Sequence, residues 1–179
     1  MTGAVHDAYG GRPLLGVVAL AQITVRVDRE KQAVSDPEAA IDAAVKPLEL
    51  AIILPTFNER KNLRPMVERL DKALAGICWE AIYVDDNSPD GTAEEARAIA
   101  LTDPRIRVIH RIGRRGLASA AIEGMLSTAA PHVAVMDADH QHDPALLPGM
   151  LAAIESGEYD LSYASRFAEG ASTEQWGRP

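Results

Sequence analysis

The sequence predicts an α/β fold, a mostly parallel sheet with helices on both faces, and three observations carry that reading. From Leu48 onward, short apolar runs alternate with segments whose apolar residues recur at helical spacing. The runs are apolar almost throughout rather than at every second residue, as expected of strands covered on both sides. Each run is followed by a polar cluster, and strand–helix alternation brings such strand ends to one rim, where open parallel sheets bind their ligands.

The first run, LELAIILP at 48–55, is a strand. NLRPMVERLDKALAG follows as a helix with Leu63, Val67, Leu70 and Leu74 at helical spacing. Asn62 is placed to cap it, and Pro65 falls in the first turn, where proline is tolerated. WEAIYVDD is the second strand and TAEEARAIA the second helix, with Thr92 and Glu95 in capping-box spacing. IRVIHR is the third strand, and GLASAAIEGMLSTAA a helix whose small residues suit close packing on a sheet. HVAVMDAD is the fourth strand. DPALLPGMLAAIESG is a helix that Pro148 bends or delays, and YDLSYASR is the fifth strand. Residues 1–47 differ: LLGVVALAQITVRV could form a strand or hairpin, but the rest is aperiodic or polar and Ala-rich. That region reads as a weakly ordered extension, leaving 48–179 as the folded domain.

A chain of 179 residues can bury a substantial core, and 47% apolar with 25% charged residues is a globular balance. The net charge of -8 argues against nucleic acid as a partner, since a general binder shows a basic face; it leaves anionic small molecules open. The single cysteine, Cys78, can form neither an internal disulfide nor a CxxC metal site, and reads as a core thiol. Leu14 to Ala21, the longest early apolar run, falls far short of the ~20 residues that span a bilayer. It also lacks the flanks of a signal peptide. The expected location is cytoplasmic, with peripheral contact at the inner face of the membrane left open.

Five polar clusters should share the rim: PTFNE, DDNSPDGT, RIGRRG, DADHQH and ASRF. They place Glu59, Asp85, Asp86, Asp137 and Asp139 beside Arg111, Arg114, Arg115 and Arg166. Asp137 and Asp139 form the sharpest pair. In an extended strand, residues i and i+2 point the same way, so the two carboxylates repel and call for a cation. Hard oxygen ligands suit Mg²⁺ or Mn²⁺, which also takes substrate phosphate oxygens. In DDNSPDGT, turn chemistry accounts for NSPDG, while the acids before it could hydrogen-bond a base or ribose. RIGRRGL is basic and glycine-containing like a phosphate loop, but it fits neither GxxxxGKS nor GxGxxG. His140 and His142 flank Gln141, and a lone His-x-His pair lacks the further ligands of a zinc site.

Through PTFNERKNL, VDDNSPDGT, RRGLASAAIEGM, MDADHQHDP and ASRF, in this order over about residues 48–170, the chain resembles a family 2 glycosyltransferase with the GT-A, Rossmann-like fold. More narrowly it resembles the dolichyl- or polyprenyl-phosphate mannosyltransferase group, for which NSPDGT and the DADxQH form are the strongest signs. The resemblance implies that Pro55, Phe57 and Glu59 hold the nucleotide, with Phe57 where tyrosine is common. It implies that Val84, Asp85 and Asp86 meet the base or ribose. Asp137, Ala138 and Asp139 would line the diphosphate, with Asp137, Asp139 and Gln141 as metal ligands. Arg166 would face the phosphates, and Asp139 and Arg166 would be the catalytic pair. The implied reaction is inverting, metal-dependent transfer of a hexose to a polyprenyl or dolichyl phosphate at the membrane surface. The donor is GDP-mannose first, another UDP- or GDP-sugar otherwise.

Other readings stay open at this point: another acceptor, or a nucleotide-sugar-binding remnant without turnover. A nucleotidyltransferase would need a Gly-rich basic segment where PTFNERKNL stands. In the family the catalytic domain usually runs well past the segment matched here, so 48–179 is expected to be incomplete at its C-terminus.

Overall fold

The computed structural model describes residues 23–26, as backbone, and residues 46–165. Its six strands are β1 (Ile23–Arg26), β2 (Leu50–Thr56), β3 (Trp79–Asp85), β4 (Ile106–His110), β5 (His132–Val135) and β6 (Leu161–Tyr163). Its helices are α1 (Leu63–Ala73), α2 (Thr92–Ala100), α3 (Leu117–Leu126) and α4 (Leu147–Glu155). The six strands form one sheet in the order β4-β3-β2-β5-β1-β6. The four strands from β4 to β5 run parallel. The mostly parallel α/β sheet expected from the sequence is therefore present.

The continuous apolar runs pack on both sides. Leu50, Ile52 and Leu54 of β2 face Leu63, Met66 and Leu70 of α1, Ala96 and Ile99 of α2, and Leu147 and Leu151 of α4. Ala51 and Ile53 face the other way, joining Ile82, Val84, Val133 and Val135 beneath Ala120 of α3. On this second face the helix must come very close. A Cβ at Gly124 would stand 2.4 Å from Ile53 Cγ2 and 3.0 Å from Val84 Cγ2, so only glycine fits. Tyr83, buried in the first core, donates its hydroxyl to the Leu63 carbonyl at 3.1 Å and so seats the start of α1 on the sheet.

Several local expectations change. Asn62 stands at the N-cap position of α1 as expected but makes no side-chain capping bond: a 3-10 turn at Arg60–Asn62 precedes the helix, and the Asn62 amide goes to the Glu59 carboxylate. The Thr92/Glu95 capping box does not form, because Gly91 takes the N-cap position with φ 86° and Thr92 is already inside α2. Glu95 pairs instead with Arg64 at 2.6 Å. A 3-10 turn, Pro144–Leu146, precedes α4, and Pro148 lies in the first helical turn, which accounts for the late start. Cys78 is half-buried rather than a core thiol, with Sγ 3.3 Å from the Lys46 carbonyl at the edge of the fold.

The expected fifth strand is short, and it does not pair with β5. Ile23–Arg26 lies antiparallel between them, with Thr24 opposite Ala134 on one side and Ser162 on the other. The sheet thus draws a strand from the segment before residue 48. Residues 1–22, 27–45 and 166–179 lie outside the described residues, and Arg166 is among them.

Candidate functional site

The polar loops after β2, β3, β4 and β5 gather on one rim. The first two are stitched together by side chains. Ser88 Oγ accepts the Asn58 N–H at 2.9 Å, Thr92 Oγ1 accepts the Glu59 N–H at 3.0 Å, and Asp90 Oδ2 accepts the Arg60 N–H at 3.2 Å. Asp90 Oδ1 also takes the Thr92 N–H at 3.0 Å, at the start of α2. NSPDGT is therefore a run of short polar side chains that supplies acceptors to the neighbouring loop, a role these residue types perform well. Asn58 and Asn87 take positive φ, 62° and 57°, which asparagine tolerates.

The two acids ending β3 are buried and committed. Asp85 accepts the Ser88 N–H at 2.9 Å, with further bonds from the hydroxyls of Ser88 and Thr56. Asp86 accepts Arg111 Nη1 on one oxygen and the Gly116 N–H on the other, each at 2.7 Å. Arg111 is 1% exposed and also reaches the Gly116 carbonyl, Ser119 and Glu123. A buried ion pair needs hydrogen bonds on its remaining groups; here both Nη atoms of Arg111 are bonded, while Nε has only an ion contact with Glu123 at 3.2 Å and no hydrogen-bond partner. Gly116 adopts φ 132°, which favours glycine. The basic loop between β4 and α3 thus hangs from the end of β3. It carries Arg114 and Arg115, and with Asn87 and Gly113 these line a shallow cleft of about 400 Å³. The Arg115 guanidinium lies 4.6 Å from the centre of the Phe57 ring, which is 44% exposed.

The pairing of β5 stops at Val135, and the Met136 N–H bonds the Ile53 carbonyl at 3.1 Å. Asp137 and Asp139 therefore sit in the following loop and not within an extended strand. The inward–outward alternation persists even so. Ala138 is buried in the core between them, while both aspartates are only partly covered. Asp139 Oδ1 accepts the Gln141 N–H at 3.0 Å, and His140 turns the chain with φ 68°. The Asp137 N–H goes to His142 Nδ1 at 3.0 Å, and His142 Nε2 stands 3.9 Å from Asp137 Oδ2. Burial pushes the Asp137 carboxyl above the usual range; His142 opposes the shift and Asp139 adds to it. Glu59 is also pushed up, first by burial and then by repulsion from Asp139, Asp137 and Asp90, against the Asn62 amide. Glu59 and the two aspartates thus share one region of like charge.

The structure brings Phe57, Glu59, Asp137, Asp139 and the exposed Gln141 to one rim with Asp85 and Asp86. Two sequence expectations change character. Val84 faces the core under α3, and Ala138 faces the opposite core, so only their backbones can meet a ligand. Pro55 is buried in the ladder beside Val84. Sequence reasoning missed the Arg111–Asp86–Gly116 knot and the partnership of His142 with Asp137.

The donor chemistry fits Mg²⁺ or Mn²⁺. Among the described residues, no three His, Cys, Asp or Glu side chains gather closely enough to hold a metal by themselves. Two mutually repelling carboxylates with positions left for substrate oxygens are what such an ion uses. They are not the closed N/S set that structural zinc takes.

Comparison with known proteins agrees with this geometry. Residues 51–179 match the profile of Glycosyl transferase family 2. The dolichol-phosphate mannosyltransferase of Pyrococcus furiosus is 40% identical over 129 residues, 72% of this chain and 36% of its own. The polyprenol monophosphomannose synthase of Mycolicibacterium smegmatis is 36% identical over 159 residues, 86% of this chain and 57% of its own. The chain thus spans between about a third and somewhat over half of the length of these relatives. In fold, the chain is similar to glucosyl-3-phosphoglycerate synthase from Mycobacterium tuberculosis, crystallised with Mn²⁺, UDP and glucosyl-3-phosphoglycerate. The TM-score is 0.51 at 20% identity, covering 75% of this chain and 48% of that one. With a family match across most of its length, laid over the strands and loops just described, the chain belongs to glycosyl transferase family 2.

Proposed function

We propose that this chain carries the donor site of a metal-dependent, inverting hexosyltransferase that passes mannose from GDP-mannose to a polyprenyl phosphate. One observation carries the reading: Asp137 and Asp139 stand together on the rim of a family 2 fold whose relatives at 40% and 36% identity are a dolichol-phosphate mannosyltransferase and a polyprenol monophosphomannose synthase. Asp137 and Asp139, with Gln141 beside them, would hold Mg²⁺ or Mn²⁺. That ion supplies charge neutralisation to a leaving diphosphate when bound.

The chain's own residues do the rest. Phe57, partly exposed with the Arg115 guanidinium over its ring, would meet the base. Asp85 and Asp86 hold the loops that surround the base and ribose. Arg114 and Arg115 give the rim a positive side, and Arg166 is proposed to face the phosphates. A lipid phosphate is largely ionised at neutral pH, with a second pKa of about 6, so its oxygen attacks without a strong general base. In-line attack forms the bond from that oxygen to the anomeric carbon, breaks the bond to the diphosphate, and inverts the configuration. The acceptor would be met at a membrane surface; among the described residues no helix is long and apolar enough to cross a membrane.

Calorimetry with GDP, UDP and their sugars, with and without Mn²⁺, tests the donor half. Mass spectrometry of polyprenyl phosphate incubated with GDP-mannose tests transfer. Mn²⁺-dependent GDP binding and a hexosyl-phosphate lipid product are expected. Binding without product would limit the chain to donor capture, and no binding of any nucleotide would overturn the reading.

A further inference from the structure

We infer that His142 is a positioning residue for Asp137, holding its main chain so that the carboxylate is set for the cation. The inference rests on the reading of Asp137 and Asp139 as cation ligands. Strand pairing has ended by Asp137, so its N–H has no partner in the sheet. His142 Nδ1 supplies one at 3.0 Å. The same ring turns Nε2 toward Asp137 Oδ2, 3.9 Å away. A neutral imidazole that accepts at Nδ1 carries its hydrogen at Nε2, so that hydrogen faces the carboxylate. One ring therefore bonds the main chain of this aspartate and stands beside its carboxylate, beyond hydrogen-bond reach.

The loop is built to return His142 to this place. Asp139 holds the Gln141 N–H at 3.0 Å, and His140 reverses the chain at φ 68°. From α1, Arg69 donates to the His140 carbonyl at 3.3 Å and to Asp143 at 3.4 Å. The side chain of His142 is 18% exposed, enclosed enough to be held in one orientation. With Nδ1 already occupied by a backbone donor, the ring serves the aspartate rather than the ion. Groups that orient metal ligands in this way typically contribute 10–100-fold to metal affinity.

The test compares Mn²⁺ affinity in the presence of GDP for the wild-type chain, His142→Phe and His142→Asn. Phenylalanine keeps a planar ring and removes both contacts, and Mn²⁺ should bind about 10–100-fold more weakly while metal-free GDP binding is unchanged. Asparagine can present an amide oxygen to the Asp137 N–H, as Nδ1 does, and should recover most of the loss. Should His142→Phe fail to fold, His142→Gln carries the test, since its amide sits beyond the Nδ1 position and should weaken Mn²⁺ as phenylalanine does. Nitrogen NMR of the neutral ring should show the hydrogen at Nε2. Wild-type Mn²⁺ affinity in the Phe or Gln variant, equal losses in Phe and Asn, or a hydrogen at Nδ1 would each overturn the inference. Were the wild-type chain to bind GDP with no Mn²⁺ dependence, the cation site would fall together with it. Full Mn²⁺ dependence in both wild type and His142→Phe would remove the inference about His142 alone.

Discussion

Asp86 takes the guanidinium of Arg111 at 2.7 Å with both side chains withdrawn from solvent. Its second oxygen takes the Gly116 N–H, so this one carboxylate fastens the basic loop after β4 to the end of β3. Asp86→Ala should cost about 3–5 kcal/mol, because it leaves the buried guanidinium with only the partly exposed Glu123 as a carboxylate partner. Urea denaturation measures it. A loss below about 1 kcal/mol, the range of an exposed pair, would show that Arg111 finds compensation.

Thr24→Pro should uncouple β6 from the rest of the sheet. Ile23–Arg26 alone links β5 to β6 among the described residues, with Thr24 paired on both sides. Proline removes a backbone donor from a strand enclosed by two neighbours. Hydrogen exchange should speed up at Leu161–Tyr163 and along β5, while β3 and β4 keep their protection. Unchanged exchange at both places would mean that the strand does not hold them together.

Glu59→Gln should stabilise the fold at neutral pH. The Glu59 carboxyl is held above its ordinary value of 4.5, chiefly by burial. A carboxyl raised in the folded state binds its proton more tightly there than in the unfolded chain. Its contribution to stability therefore declines as pH rises from the ordinary value through the folded one, and stays at that lower level above it. The advantage of the Gln variant should grow across this interval and vanish below it, because the amide can still accept from Asn62. Melting temperatures at pH 4 and pH 7 check this; an advantage of equal size at both would contradict it.

Much of the fold was legible because its signals are local. The runs from Leu50, Trp79 and His132 are strands buried on both faces, the run from Ile106 is a partly covered edge strand, and Leu63, Leu70 and Leu74 mark one side of a helix and its end. The rim followed from strand–helix alternation, and the acids at its loops could be picked out by residue type. Other features depend on pairings that spacing does not encode. Asp86 and Arg111 meet across two strands, and Ile23–Arg26 reaches its slot from far along the chain. His142, set beside His140 by a metal-ligand spacing, serves Asp137 because His140 adopts a left-handed turn. Asn62 keeps the N-cap position but makes no capping bond, and its amide donates to the Glu59 carboxylate within the 3-10 turn before α1.

Asp137 and Asp139 are proposed to hold a divalent cation for a nucleotide diphosphate, and the Mn²⁺ increment in GDP affinity tests this most directly. Calorimetry on the wild-type chain should show GDP binding tightened by Mn²⁺ at least about tenfold, ~1.4 kcal/mol. The same titration on Asp139→Ala, with helical and strand content unchanged by circular dichroism, should show no increment. An Asp139→Ala protein that keeps the full Mn²⁺ increment would contradict the account.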